Sequence, residues 1–245
     1  MDESMFAKLL TGESVRPFRD RFEAGKLLAT RLTQYSDRTD VHVFALPRGG
    51  LPVAFEIAQA IHAPLDIFLV RKLGVPGHEE LAMGAIATGN VRLLQTDIVE
   101  AFGISSQMID AATEEGLQEL ARRERAYRGS RPEPVVRGKM IILVDDGLAT
   151  GSTMQVAVAA LKEKQPKRMI VAVPVAAPEA CNELKDEVDQ IICLETPPSF
   201  SAVGLWYDDF SQVTDREVRE LLARADRSHS SGHSASGAAS GADPK

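Results

Sequence analysis

Short runs of consecutive apolar residues alternate along this chain with segments whose apolar positions recur every three or four residues. Val41–Leu46 is a β-branched and aromatic run, followed by the turn Pro47-Arg48-Gly49-Gly50. Leu51–Ile61 then carries Val53, Ile57 and Ile61 at helical spacing, with Pro52 tolerated in a first turn. Leu65–Val70 reads as a second strand. Strand, helix and strand within about thirty residues make a βαβ unit, and so a parallel pair with a right-handed crossover. Upstream, Phe22, Leu27, Leu28 and Leu32 predict a helix over Arg19–Tyr35. Downstream, Met83–Ala87 and Val91–Gln95 flank Thr88-Gly89-Asn90 as a hairpin. A charged helix covers Ser105–Tyr127, and Arg131-Pro132-Glu133-Pro134 ends it.

The alternation then resumes: strand Met140–Val144, loop Asp145–Ser152, a helix to Lys164, strand Ile170–Val175, helix Glu179–Glu187 and strand Gln190–Leu194. Asp215–Ala225 makes a closing helix on Val218, Leu221 and Leu222. Strands that are apolar throughout are covered on both faces, so the expected fold class is α/β, a mostly parallel sheet flanked by helices. Ligands of such sheets bind beyond the carboxyl ends of the strands. That rule directs attention to Pro47–Gly50, Arg71–Glu80 and Asp145–Thr153.

Composition narrows the picture. The chain has 245 residues, 44% hydrophobic and 26% charged, which fits one large globular domain. We expect this domain over residues 1–227, with an insertion at about 75–135. The Ser/Gly/Ala/His stretch 228–245 reads as a disordered tail, in which His229 and His233 are solvated rather than metal ligands. No apolar run approaches the roughly 20 residues of a membrane span, and Met1–Arg21 has no apolar signal core. Cys181 and Cys193 are too few for a disulfide scaffold, and with His62 they read as structural. A cytoplasmic location is therefore expected. A formal charge of −7 argues against nucleic acid as a partner. An anionic small molecule remains open if basic groups gather in one cleft.

The strongest chemical signal is Ile141-Ile142-Leu143-Val144-Asp145-Asp146-Gly147-Leu148-Ala149-Thr150-Gly151-Ser152-Thr153. Four apolar residues end in two acids, and a Gly/Thr/Ser loop then opens a helix. Such a loop offers backbone N–H groups and hydroxyls to a phosphate. Adjacent carboxylates accept hydrogen bonds from vicinal hydroxyls or hold a metal. Together they describe a ribose 5-phosphate site. No GxGxxG nucleotide fingerprint occurs in the chain.

This segment resembles the 5-phosphoribosyl-1-pyrophosphate (PRPP) motif of the type I phosphoribosyltransferases, departing from it at Gly147, where an aliphatic residue is usual. Lys72-Leu73-Gly74, Glu80-Leu81-Ala82-Met83-Gly84-Ala85 and Val203-Gly204-Leu205-Trp206-Tyr207 carry a closer resemblance to uncharacterised bacterial members. The resemblance implies a glycosyltransferase moving the 5-phosphoribosyl group to a nucleobase-like nitrogen acceptor. In that reading Asp145 and Asp146 hold the ribose hydroxyls, Ala149, Thr150, Gly151, Ser152 and Thr153 bind the 5-phosphate, and Arg48, Gly49 and Gly50 bind the pyrophosphate. Magnesium arrives on PRPP, with Asp145 and Asp146 as candidate protein ligands. Arg71 and Lys72 add counter-charge, and Gly74–Glu80 forms a mobile cover. Ala149 replaces the acid that 6-oxopurine enzymes carry, so Glu80, or Glu79, becomes the expected acid–base residue. Phe200, Trp206 and Tyr207 are the aromatic group expected around the acceptor in a small hood. A homodimer is compatible with this reading. The competing reading is a non-catalytic, PRPP-sensing regulatory protein.

Overall fold

The computed structural model describes residues 18–129 and 131–236, the last eight of these as backbone only. Five strands make the main sheet: β1 (Val41–Ala45), β2 (Leu65–Ile67), β6 (Met140–Val144), β7 (Arg168–Val175) and β8 (Gln190–Glu195). All pair in parallel, in the order β2-β1-β6-β7-β8. Register runs straight through the centre: Val43 pairs with Ile142, and Ile142 with Ile170.

Alternate residues of these strands enter two different cores. Val41, Val43, Met140, Ile142 and Ile170 pack on one face, with helices α1 (Arg21–Ala29), α2 (Gly50–Ile61) and α7 (Asp215–Ser236). Phe44, Ile141, Leu143 and Val171 pack on the other, with α5 (Ser152–Glu163) and α6 (Pro178–Leu184). Both faces are thus apolar, which is why the strands read as unbroken hydrophobic runs.

A second sheet, antiparallel, is built from β3 (Val70–Val75), β4 (His78–Ala87) and β5 (Val91–Leu94). The expected β4–β5 hairpin is present, but two expectations change. The strand expected over Leu65–Val70 stops at Ile67, and the chain crosses to the second sheet at Val70. The segment Gly74–Glu80, expected as a loop, is a tight β3–β4 hairpin in which Val75 pairs with His78. This sheet packs against the long helix α4 (Ser106–Arg128), while α3 (Thr96–Ala101) precedes that helix.

Local chemistry sets the helix ends. The Asp20 carboxylate accepts from Glu23 N at 2.8 Å, capping α1 at its start. The predicted N-terminal helix is shorter than expected, Arg21–Ala29 with a separate 3₁₀ turn at Thr33–Tyr35, and Leu27 is 44% exposed. Ser105 caps α4, and Gly129 at φ +64° ends it before the proline run is reached. The closing helix α7 extends to Ser236, past the Ala225 end and into the stretch read as tail. Residues 237–245, the rest of that stretch, lie outside the described residues, as does the segment 1–17. Among the described residues no helix is long and apolar enough to cross a membrane.

Candidate active site

The acid pair ends the buried strand β6. Asp145 Oδ1 accepts from Asp146 N at 2.9 Å. Asp146 Oδ2 accepts from Arg21 Nε at 2.8 Å, an ion pair in which both side chains are largely buried. The Arg21 guanidinium lies 3.8 Å from the Phe210 ring centroid and donates to Ser211 O at 2.9 Å. Burial, followed by the charge of Asp146, pushes Asp145 well above the usual carboxylate range. Burial also raises Asp146, against the opposing pull of Arg21.

The turn Pro47–Gly50 lies directly on this pair. A Cβ on Gly50 would sit 2.7 Å from Val144 O, and one on Gly49 would overlap the Asp146 carboxylate. Only glycine permits that approach. Beside it, α5 opens at Gly151 (φ +70°), which has no side chain to cap it, and Ser152 N donates to Thr150 Oγ1 at 3.4 Å. Thr150 Oγ1 and Ser152 Oγ are 3.2 Å apart there, both exposed. The departure from the motif at Gly147 has a local cause: Val203 fills the space, its Cγ1 2.6 Å from where a Cβ would be. The aliphatic group comes from the hood rather than from the motif.

Arg48 and Thr153 line a cavity of about 260 Å³ at the ends of β1 and β2. Its remaining polar lining comes from Arg122, Arg123 and Tyr127 of α4, and from Asp215 of α7. Arg48 Nη1 stands 3.6 Å from Asp215 Oδ1, which also accepts from Tyr127 Oη at 2.8 Å. Arg71 and Lys72 do not line this cavity. They are strand residues of β3, and Lys72 Nζ donates to Glu80 O at 2.8 Å across the hairpin. Glu79 Oε1 accepts from Gly77 N, and the fully exposed Glu80 carboxylate stands 3.9 Å from Lys72 Nζ.

The hood joins the two ends of the domain. Phe18 bridges to Tyr207, and Arg19 O accepts from Asp209 N at 2.8 Å. Tyr207 is 1% exposed, covered by Phe18 and Phe210, and donates to Asp146 O at 2.6 Å. Its ring faces are spent on packing, so Phe200 and Trp206 are the half-buried aromatics left beside it.

Residues 20–205 match the family model for the phosphoribosyl transferase domain. The chain belongs to that family. Proteins of two Mycobacterium tuberculosis strains, named provisionally as phosphoribosyl transferases, are 41% identical over 210 residues. The match covers 86% of this chain, which spans about half (47%) of those relatives. The crystal structure of TT1426 from Thermus thermophilus is similar at 38% identity and a TM-score of 0.74, covering 84% of this chain and 98% of that one.

In this phosphoribosyl transferase domain the acid pair, the turn 47–50 and the loop 149–153 lie together at one end of the sheet. Arg21, Arg122, Arg123 and Asp215 were missed by sequence reasoning. Arg21 and Asp146 are 125 positions apart, and no local spacing announces such a pair. In the sequence the arginines of α4 are simply part of the charged helix expected over Ser105–Tyr127.

Proposed function

We propose that this domain transfers the 5-phosphoribosyl group of PRPP to a ring nitrogen of a flat, nucleobase-like acceptor. The observation that carries this reading is the junction of three elements at one end of the sheet: the acid pair, the glycine turn lying on it and the Gly151 start of α5 with its exposed Thr150 and Ser152 hydroxyls. The C1–O bond to pyrophosphate breaks, its electron pair leaving with the diphosphate, and a C1–N bond forms. Asp145 and Asp146 hold the ribose hydroxyls while positive charge develops at C1. Thr150, Ser152, Thr153 and the backbone of Ala149 and Gly151 take the 5-phosphate. Arg48, with the backbone of Gly49 and Gly50, faces the departing diphosphate.

Among the described residues no three His, Cys, Asp or Glu side chains converge as a metal cage. Asp146 also commits an oxygen to Arg21. Magnesium would arrive on PRPP, with Asp145 and the remaining oxygen of Asp146 as the residues that would hold it. When bound it neutralises charge on the leaving group.

Glu80 is proposed to carry the acceptor's proton, because its carboxylate is fully exposed beside Lys72 Nζ, 3.9 Å away, while Glu79 accepts from Gly77 N. Closure of the β3–β4 hairpin over the cleft would bring Glu80 onto the acceptor, together with Arg71 and Lys72. Phe200 and Trp206 are the proposed stacking partners. Incubating the protein with PRPP, magnesium and a panel of nucleobases, and following pyrophosphate release, tests the reading. Base-dependent release supports it. PRPP binding without release from any base, azole or amine would leave the regulatory alternative standing instead.

A further inference from the structure

The long helix α4 lies within the segment read as an insertion, yet its last turns reach the ligand cavity. Arg122 and Arg123 line that cavity opposite Arg48 and Thr153. Three guanidiniums therefore face a space with one lining carboxylate, Asp215, in a protein whose overall charge is −7. Such a local reversal of sign concentrates anions.

The helix is fixed where these arginines emerge. Gly116 brings α4 close to the second sheet, since a Cβ there would lie 2.7 Å from Ile86 Cδ1. Arg128, 7% exposed, donates to Asp66 Oδ1 at 3.1 Å and to Ile67 O at 3.2 Å, tying the helix end to β2. Tyr127 ties it to Asp215. The two arginines are themselves oriented by one group. Glu119 accepts from Arg122 Nε at 2.7 Å and from Arg123 Nε at 2.8 Å. One carboxylate between two guanidiniums leaves a net positive pair with N–H groups to spare.

We propose that Arg122 and Arg123 bind the diphosphate end of the sugar, so that α4 selects a diphosphorylated over a monophosphorylated ribose. This rests on the PRPP reading above and assigns to α4 the counter-charge that the sequence placed at Arg71 and Lys72. Asp215 and Tyr127 act as positioning residues, holding Arg48 and the helix end at the rim. Guanidinium forks match phosphate oxygens in pairs, so two of them at a rigid wall distinguish a terminal diphosphate from a hydroxyl.

The test is calorimetry on the full chain with magnesium, titrating PRPP, inorganic pyrophosphate and ribose 5-phosphate into wild type and Arg122→Gln/Arg123→Gln. Glutamine keeps helix propensity and much of the side-chain length. The expected result is a loss of about 10- to 100-fold in affinity for PRPP and pyrophosphate, the scale of one or two charge-assisted hydrogen bonds. Ribose 5-phosphate, held at the start of α5, should bind within about twofold of wild type. Its retention also certifies that the variant is folded. Unchanged PRPP and pyrophosphate affinity in the variant overturns the assignment. So does an equal loss for all three ligands, which would place the effect outside the diphosphate end. Wild type that binds neither PRPP nor ribose 5-phosphate overturns the PRPP reading itself, a different result from a wild type that binds PRPP with an indifferent variant.

Discussion

Asp146 sits where three demands meet: it accepts from Arg21, lies under Gly49 and belongs to the motif proposed to receive ribose. Removing one partner of a buried ion pair strands the other, at a cost of about 3–5 kcal/mol. Asp146→Ala should therefore lower stability on that scale. Adding Arg21→Ala should cost less than the sum of the single changes, read as a coupling in denaturant melts. Purely additive values would remove the pair from the fold's support. The acid pair also sets a pH dependence. Folding raises Asp145 above 3.8 through burial and its charged neighbour, so the folded state holds more protons than the unfolded one above that pH. Stability contributed at this site is thus present in acid and declines as pH rises from about 4 towards the folded value. Asp145→Asn should flatten that decline in melting temperature between about pH 4 and 7; a parallel decline in both proteins would contradict it. Cys193 is the reverse of a reactive thiol: burial, with Cys181 beside it, pushes it up to about 12. Alkylation at about pH 8, followed by mass spectrometry, should leave it slower than an ordinary thiol of pKa about 8.5.

At the scale of elements, α5 and the β3–β4 hairpin divide the proposed work. The turn into α5 needs Gly151 at φ +70°, and a side chain there would also press on Ala180, 3.3 Å from its Cβ. Gly151→Val should abolish ribose 5-phosphate binding while the sheet stays folded by circular dichroism; retained affinity would separate the loop from phosphate. In the hairpin, Glu80→Gln should cut turnover about 100- to 10,000-fold with PRPP affinity unchanged, the usual worth of acid–base help. Near-normal turnover in that variant and in Glu79→Gln would leave the hairpin without a proton-carrying role. This hairpin is illegible as strand for a physical reason. Its tip, from Val75 to Glu80, has one small turn and three exposed polar residues, His78, Glu79 and Glu80. A strand with no buried face there leaves no period of two to read. Gly77 reads as a turn former in the sequence, but as part of a loop rather than of a hairpin.

Across the whole molecule, the parallel sheet, the placing of its main helices and the loop proposed to take phosphate were written in sequence. A strand buried on both faces must be apolar along its whole length, and a turn pressed against another strand's end must be glycine. Such local requirements leave marks at Val41–Ala45, Met140–Val144 and Gly49–Gly50. The motif 141–153 carried the proposed ribose phosphate chemistry for the same reason, since its ligands are consecutive. What the tertiary structure alone decided is which distant charges share the cleft. Arg21 meets Asp146, Arg48 meets Asp215, and Arg122 with Arg123 lines the same cavity as Arg48, only because α1, α4 and α7 are packed around the ends of β1 and β6. Tyr207 lost its expected role as a stacking face by the same packing, its ring enclosed by Phe18 and Phe210. Periodicity reports whether a side chain is buried against its own element's neighbours. It carries no record of which remote element supplies the partner, because that depends on crossings and connections that each segment of sequence specifies only in combination with the others.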